Sequence, residues 1–131
     1  QEVYGFVGEV SHITNQTLVA LLAQGKIPLI PSLGYSEQGY LLNINADYLA
    51  RAVAISLGVK KLILMTDVKG VLENGRVLNH LNIVDVQKKI DSGVITGGMI
   101  PKIQSAFQTV QAGVEQVIIG DNLTDGTIIK E

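Results

Sequence analysis

The chain has no cysteine, which excludes disulfides and thiolate metal sites and fits the cytosol. Positive charge is not in excess either: Lys and Arg total 10 against 12 for Asp and Glu, a net charge of -2. With the lysines scattered, nothing is arranged to neutralise a nucleic-acid backbone. No apolar run approaches the ~20 residues that span a bilayer, so no membrane partner is expected. No signal peptide is visible at the start of the sequence, and it shows no internal repeat, low-complexity tract or block of like charge.

What remains is apolar enough to build a core. Hydrophobic residues make up 47% of the 131 residues and charged residues 17%, well outside the range of disordered chains. One compact domain over 1–131 is the simplest expectation. The chain opens at Gln1 on Val3-Tyr4-Gly5-Phe6-Val7-Gly8, which reads as a strand with glycines. That is a poor natural beginning, so a piece of a longer protein is expected.

Strands and helices alternate in the pattern. Residues 3–10 read as extended. Asn15 is a candidate cap for a helix to about Gln24, with Leu18, Leu21 and Leu22 on one face and Gly25 as the stop. Residues 27–31 read as a short apolar strand that Pro28 and Pro31 leave with two missing donors. A turn over 34–39 leads to a hairpin arm over 40–44. Asn45 starts a helix over 46–57, closed by Gly58. Residues 61–66 form the clearest strand, apolar throughout and suited to a covered parallel sheet.

The stretch 67–78 reads as a loop with a small hairpin at Asn74-Gly75. Asn82, with Asp85 three residues on, begins a third helix to about Ser92. A glycine-bearing loop over 93–98 leads to a fourth helix over 99–112, with Pro101 in its first turn. Strands over 117–119 and 127–129 close the chain. The class expected is α/β, with a mainly parallel sheet and helices on both faces. Ligands of such sheets lie beyond the carboxyl ends of the strands.

Three places at such ends carry chemistry. In Asn43-Ile44-Asn45-Ala46-Asp47 the alternation of an extended run points Asn43 and Asn45 the same way. Asp47 falls in the first helical turn, where the dipole favours a carboxylate. The same residues also make an ordinary capped helix. In Thr66-Asp67-Val68-Lys69-Gly70-Val71-Leu72 a buried strand ends at a polar pair and a loop. Asp is common at such exits in any case, because it makes its own turn bonds.

In Val94-Ile95-Thr96-Gly97-Gly98-Met99-Ile100-Pro101-Lys102 two glycines let backbone approach a ligand, and the helix start behind them offers N–H groups to phosphate. Lys102 opposes the dipole there at a cost of about 0.3–1 kcal/mol, which an anionic ligand would offset. A solvated lysine after a glycine loop is the alternative. No Walker loop or G-x-G-x-x-G fingerprint occurs. His12 and His80 sit in no catalytic context and read as loop or surface residues. The carboxylates are too scattered for a metal cage or a glycosidase pair.

Taken together, these stretches resemble the amino-acid kinase family, and within it the acetylglutamate kinases. The resemblance runs from Gly5-Phe6-Val7-Gly8-Glu9-Val10 through Ile27-Pro28, N-I-N-A-D at 43–47, T-D-V-K-G-V-L at 66–72 and G-G-M-I-P-K at 97–102, to Gly126-Thr127. It implies a three-layer αβα sandwich with an open, mainly parallel sheet of carbamate-kinase type, of which this chain is the C-terminal part. It implies phosphoryl transfer from ATP, accompanied by Mg²⁺, to the side-chain carboxylate of N-acetyl-L-glutamate, on the path to arginine, in the cytoplasm.

By the same resemblance, Lys102 stabilises the transferring phosphoryl group and Asp47 organises the catalytic lysines. Asn43 contacts the acetylated amino acid, with Asn45 beside it. Thr66, Asp67, Val68, Gly70, Val71 and Leu72, with Val94, Thr96, Gly97, Gly98, Met99 and Lys102, embrace the nucleotide. No side chain is assigned to a metal.

The chain also departs from the family. The family's N-terminal lysine, Gly-Gly phosphate loop and substrate arginine have no counterpart here. The chain alone is therefore expected to bind nucleotide without turnover. The link over 120–125 is short where many relatives have an extra helix, which puts arginine feedback in doubt. Dimer contacts of the family lie largely outside the matched part, which leaves a homo-oligomer to the full-length protein. Other readings are an aspartokinase- or uridylate-kinase-type enzyme, a nucleotide-binding module without catalysis, and an α/β domain acting through protein contacts.

Overall fold

A computed structural model describes residues 6–130. Of the opening segment expected to be extended, 3–5 lie outside the described residues, as does Gly5 of the first family motif. The chain divides into two compact units, Gln1–Leu57 and Gly58–Glu131.

In the first unit, helix α1 covers Gln16–Ala23. Strands β1 (Leu33–Tyr35) and β2 (Leu41–Asn43) form an antiparallel hairpin with Leu33 opposite Asn43 and Tyr35 opposite Leu41. Val7 bridges Asn43 in parallel on the other side of β2. Helix α2 covers Ala46–Leu57, as its start at Asn45 and its stop at Gly58 predict.

Two expectations fail in this unit. Residues 27–31 form no strand, and Ile27 and Leu29 are 88% and 93% exposed. Two prolines in five residues remove the donors a ladder needs, and the strand begins only at Leu33. Asn15 precedes α1 but makes no side-chain cap bond. Its amide donates instead to the Ser56 carbonyl (2.8 Å) and hydroxyl (3.1 Å) near the end of α2.

The second unit holds a four-stranded sheet ordered β3 (Lys61–Met65), β7 (Gln116–Gly120), β8 (Thr127–Ile129), β6 (His80–Leu81). β3 and β7 are parallel, β7 and β8 antiparallel, β8 and β6 parallel. A separate hairpin joins β4 (Leu72–Glu73) to β5 (Arg76–Val77). Asn74 and Gly75 both take positive φ, 52° and 77°, as a two-residue turn of this kind requires. Helix α3 covers Ile83–Asp91, with the Asn82 side chain accepting from the Asp85 N–H at 3.0 Å. Helix α4 covers Met99–Gln111.

The α/β class and the prevalence of parallel pairing match the expectation. Strand β6 is an addition: His80, read as a loop or surface residue, is exposed and pairs with Ile128. The core of this unit gathers Ile103, Ala106, Phe107 and Val110 of α4 with Val117, Ile118 and Ile119 of β7 and Ile129 of β8, all buried. Their spacing along α4 is that of one helical face.

Candidate functional site

The candidate residues fall into two groups, one in each unit. In the first unit, Asn43 ends β2 and its backbone is spoken for. Its N–H donates to the Phe6 carbonyl (2.8 Å) and its carbonyl accepts from Gly8 (3.0 Å). Ile44 is buried, while the side chains of Asn43 and Asn45 on either side are exposed, as the alternation of an extended run requires. The Asn45 side-chain oxygen accepts from the N–H groups of Asp47 (3.0 Å) and Tyr48 (3.2 Å). The capping function of Asn45 is therefore real, and it orients the first turn of α2, where Asp47 sits half-buried.

In the second unit, two loops emerge at one edge of the sheet. The first leaves β3 at Met65. The Thr66 N–H donates to the Gly120 carbonyl (2.9 Å), so the ends of β3 and β7 are level. The second loop precedes α4. Helix α4 packs on β7 and is joined to it by 112–115 alone. A link that short makes the helix antiparallel to the strand. Its N-terminus, with Gly97, Gly98 and Lys102, therefore lies at the same carboxyl edge as Thr66 and Asp67, where ligands of open α/β sheets bind.

Locally the two loops differ. Gly97 takes φ +54°, and a Cβ at Gly97 or Gly98 would meet no heavy atom within 4 Å. Backbone is thus open to a ligand there. Gly70 takes φ +146°, and a Cβ would lie 2.8 Å from Thr127 Oγ1 and 2.9 Å from Val77 Cγ1. A side chain has no room there against Thr127 and Val77.

At the start of α4 two backbone donors are engaged within the turn. The N–H groups of Met99 and Ile100 already donate to the carbonyls of Thr96 and Gly97, both at 3.2 Å, and Pro101 has none. Charge at this spot comes from Lys102, half-buried in the first turn. Val94 and Ile95 are held from behind, because both donate to the Lys89 carbonyl at 2.9 and 3.0 Å. Thr96 is exposed, Leu72 opens β4 and is 45% exposed, and Val68 is half-buried. The Thr66 hydroxyl donates to the Asp67 carboxylate at 3.2 Å.

Two further features emerge from the tertiary fold. Thr127 is fully buried, and its hydroxyl oxygen accepts from the Val71 N–H at 2.8 Å. A cavity of about 590 Å³ opens beside the first loop, lined among others by Lys69, Asn79, His80, Asp121, Asn122 and Asp125. Only the tertiary fold brings these residues together. Among the described residues no group of three or more His, Cys, Asp or Glu side chains could hold a metal ion, and no helix is long and apolar enough to cross a membrane.

Similarity to known proteins agrees with this topology. The chain is 59% identical over 129 residues to an acetylglutamate kinase of Streptococcus mutans, covering 98% of this chain and 53% of that protein. It is 58% identical over 131 residues to one of Streptococcus gordonii, covering 100% and 54%. The chain therefore spans about half the length of these relatives.

A crystal structure of a Streptococcus mutans UA159 protein, 59% identical, superposes with a TM-score of 0.88 over 98% of this chain and 52% of that one. A Giardia lamblia carbamate kinase bound to AMP-PNP, 19% identical, shares the fold with a TM-score of 0.69 over 95% of this chain and 52% of that one. The sequence model described as the amino acid kinase family matches residues 1–121, and on that extent of agreement the chain belongs to the amino acid kinase family.

Proposed function

We propose that this chain is the nucleotide-binding portion of an acetylglutamate kinase, transferring the γ-phosphoryl group of ATP to the side-chain carboxylate of N-acetyl-L-glutamate. The reaction belongs to arginine biosynthesis, in the cytoplasm. The observation that carries the reading is the emergence of two glycine-bearing loops at one carboxyl edge, with Lys102 in the first turn of α4. The names of relatives close to 60% identical favour acetylglutamate over aspartate or uridylate as the acceptor class.

In this reading the loops over 66–72 and 94–99 embrace the nucleotide. Phosphoryl transfer needs alignment and charge neutralisation more than covalent help. With the Met99 and Ile100 amides engaged, the Lys102 ammonium is the principal charge this loop offers to the moving phosphoryl oxygens. In the first unit, Asp47 supplies the carboxylate that the resemblance ties to catalytic lysines, and Asn43 and Asn45 address the acetylated substrate. Mg²⁺ would arrive with ATP, held by phosphate oxygens and water. The scattered carboxylates of the chain fit a metal carried in that way.

Calorimetry of the 131-residue chain with MgADP tests the nucleotide assignment. Saturable binding with Kd of about 1 mM or tighter is expected. Lys102→Ala should weaken it about tenfold by removing a charge-assisted contact. No heat at millimolar nucleotide would overturn the assignment. Acyl phosphate trapped as hydroxamate should not form with this chain alone, because half of the relatives' length has no counterpart here. Robust turnover would overturn that division of roles.

A further inference from the structure

We infer that the Thr127 hydroxyl is a positioning group that sets the height of the 66–72 loop over the carboxyl edge of the sheet. The inference rests on the nucleotide reading of that loop. It starts from the way the loop is held. Its near end is fixed by backbone, Thr66 N–H to the Gly120 carbonyl. Over 67–70 no backbone–backbone hydrogen bond occurs among the described residues. Its far end is fixed at Val71, whose carbonyl accepts from Leu78 (2.8 Å) and whose N–H donates to Thr127 Oγ1 (2.8 Å) across 56 residues of sequence. One anchor of the loop's far end is thus a side chain, and that side chain can be changed.

Thr127 is well placed for this. Because β8 runs antiparallel to β7, with Thr127 opposite Ile119, its first residue lies at the carboxyl edge shared by β3 and β7. Thr127 is 0% exposed and Val71 2% exposed. The approach to Thr127 is rigid: a Cβ on Gly126 would collide with the Ile119 carbonyl. Just upstream, the Asn122 side-chain oxygen accepts from the N–H groups of Thr124 (2.9 Å) and Asp125 (2.7 Å). Gly70 is pressed against the same threonine, with its ideal Cβ position 2.8 Å from the hydroxyl and 3.1 Å from the Thr127 nitrogen. The loop therefore rests on Thr127 by contact and by a hydrogen bond at once. The short 120–126 link gives the fold a stiff post instead of a long connection.

Two substitutions separate positioning from simple packing. Thr127→Val keeps the shape and removes the acceptor, which leaves the buried Val71 N–H without it. Thr127→Ser keeps the hydroxyl and removes a methyl. Three readouts are taken on the 131-residue chain: thermal midpoint, hydrogen exchange of the 67–72 segment, and calorimetric Kd for MgADP. The valine variant should speed exchange of 67–72 at least about fivefold and raise Kd about fivefold to tenfold.

The serine variant should lower the thermal midpoint yet keep loop exchange and Kd within about twofold of the parent, since its hydrogen bond survives. Unchanged exchange and affinity in the valine variant, or equal losses in both variants, would overturn the positioning assignment. Faster loop exchange in the valine variant of a parent chain that binds no MgADP would support the anchor and overturn the nucleotide reading of the loop.

Discussion

The two units handle their apolar residues in opposite ways. In the second, Ile95, Ile103, Ile119 and Ile129 are at most 1% exposed. In the first, the buried hydrophobics are Ile44, Leu49 and Ala54, while Phe6, Val7, Ile27, Leu29, Tyr35, Tyr40 and Leu41 are each at least half exposed. Helix α1 buries no residue at all. The second unit carries a helix and the strands it packs on within 74 consecutive residues, Gly58–Glu131, so its core closes on itself. The first carries a hairpin, one parallel bridge and two helices, with apolar side chains beyond what these elements can cover. Exposed apolar surface of that extent is what contact surfaces carry.

The largest expected effect follows directly. Ile103→Ala in the second unit should cost about 2–5 kcal/mol, the range for emptying a packed core site. Leu29→Ala in the first should stay within about 0.5 kcal/mol, as for exposed positions without packing. Urea unfolding of the 131-residue chain and both variants measures this. Equal losses would break the comparison, because they would mean that Leu29 is packed in solution.

A medium effect sharpens it. Three asparagines precede helices, Asn15 and Asn45 in the first unit and Asn82 in the second. Asn45 and Asn82 accept from helix N–H groups, Asn82 at 3.0 Å from Asp85, so Asn82→Ala should destabilise by about 1 kcal/mol. Asn15→Ala removes a tie to Ser56 instead. It should speed amide exchange in α2 near Ser56 and leave the first turn of α1 unchanged. Loss of protection confined to that turn would restore Asn15 as a cap.

How far the sequence is legible follows the same division. Helix α2 can be read residue by residue, because a cap at Asn45 and a glycine at 58 are local signals. The hairpin at Asn74-Gly75 is legible for the same reason, since only residues tolerant of positive φ make it. Strand β6 is not legible: two residues at 80–81 become a strand only by pairing with Ile128 and Ile129. Residues 27–31 are apolar and β-branched enough to read as a strand, yet two prolines override that pattern. At the candidate site, residue types announce the diglycine turn and Lys102. They do not announce Thr127, whose bond to Val71 spans 56 positions, or the engagement of the Met99 and Ile100 amides, which depends on the geometry of the turn.

The smallest expected effect concerns Lys89, which touches both loops of the second unit by different means. Its carbonyl holds Val94 and Ile95, and its ammonium bonds Glu73 at 2.7 Å, just beyond the 66–72 loop. The side chains are 22% and 33% exposed, so solvent screens the pair and its worth is about 0.2–1 kcal/mol. Lys89→Met should lose that amount, and 1 M salt should remove most of the difference between parent and variant. The backbone bonds to Val94 and Ile95 survive the substitution, so MgADP affinity should change less than in Thr127→Val. Exchanging the two charges, Lys89→Glu with Glu73→Lys, should recover part of the loss at low salt. If the double exchange is worse than either single change, the surrounding field and not the pair itself fixes the hairpin, and the hold of α3 reaches only the second loop, through the Lys89 carbonyl.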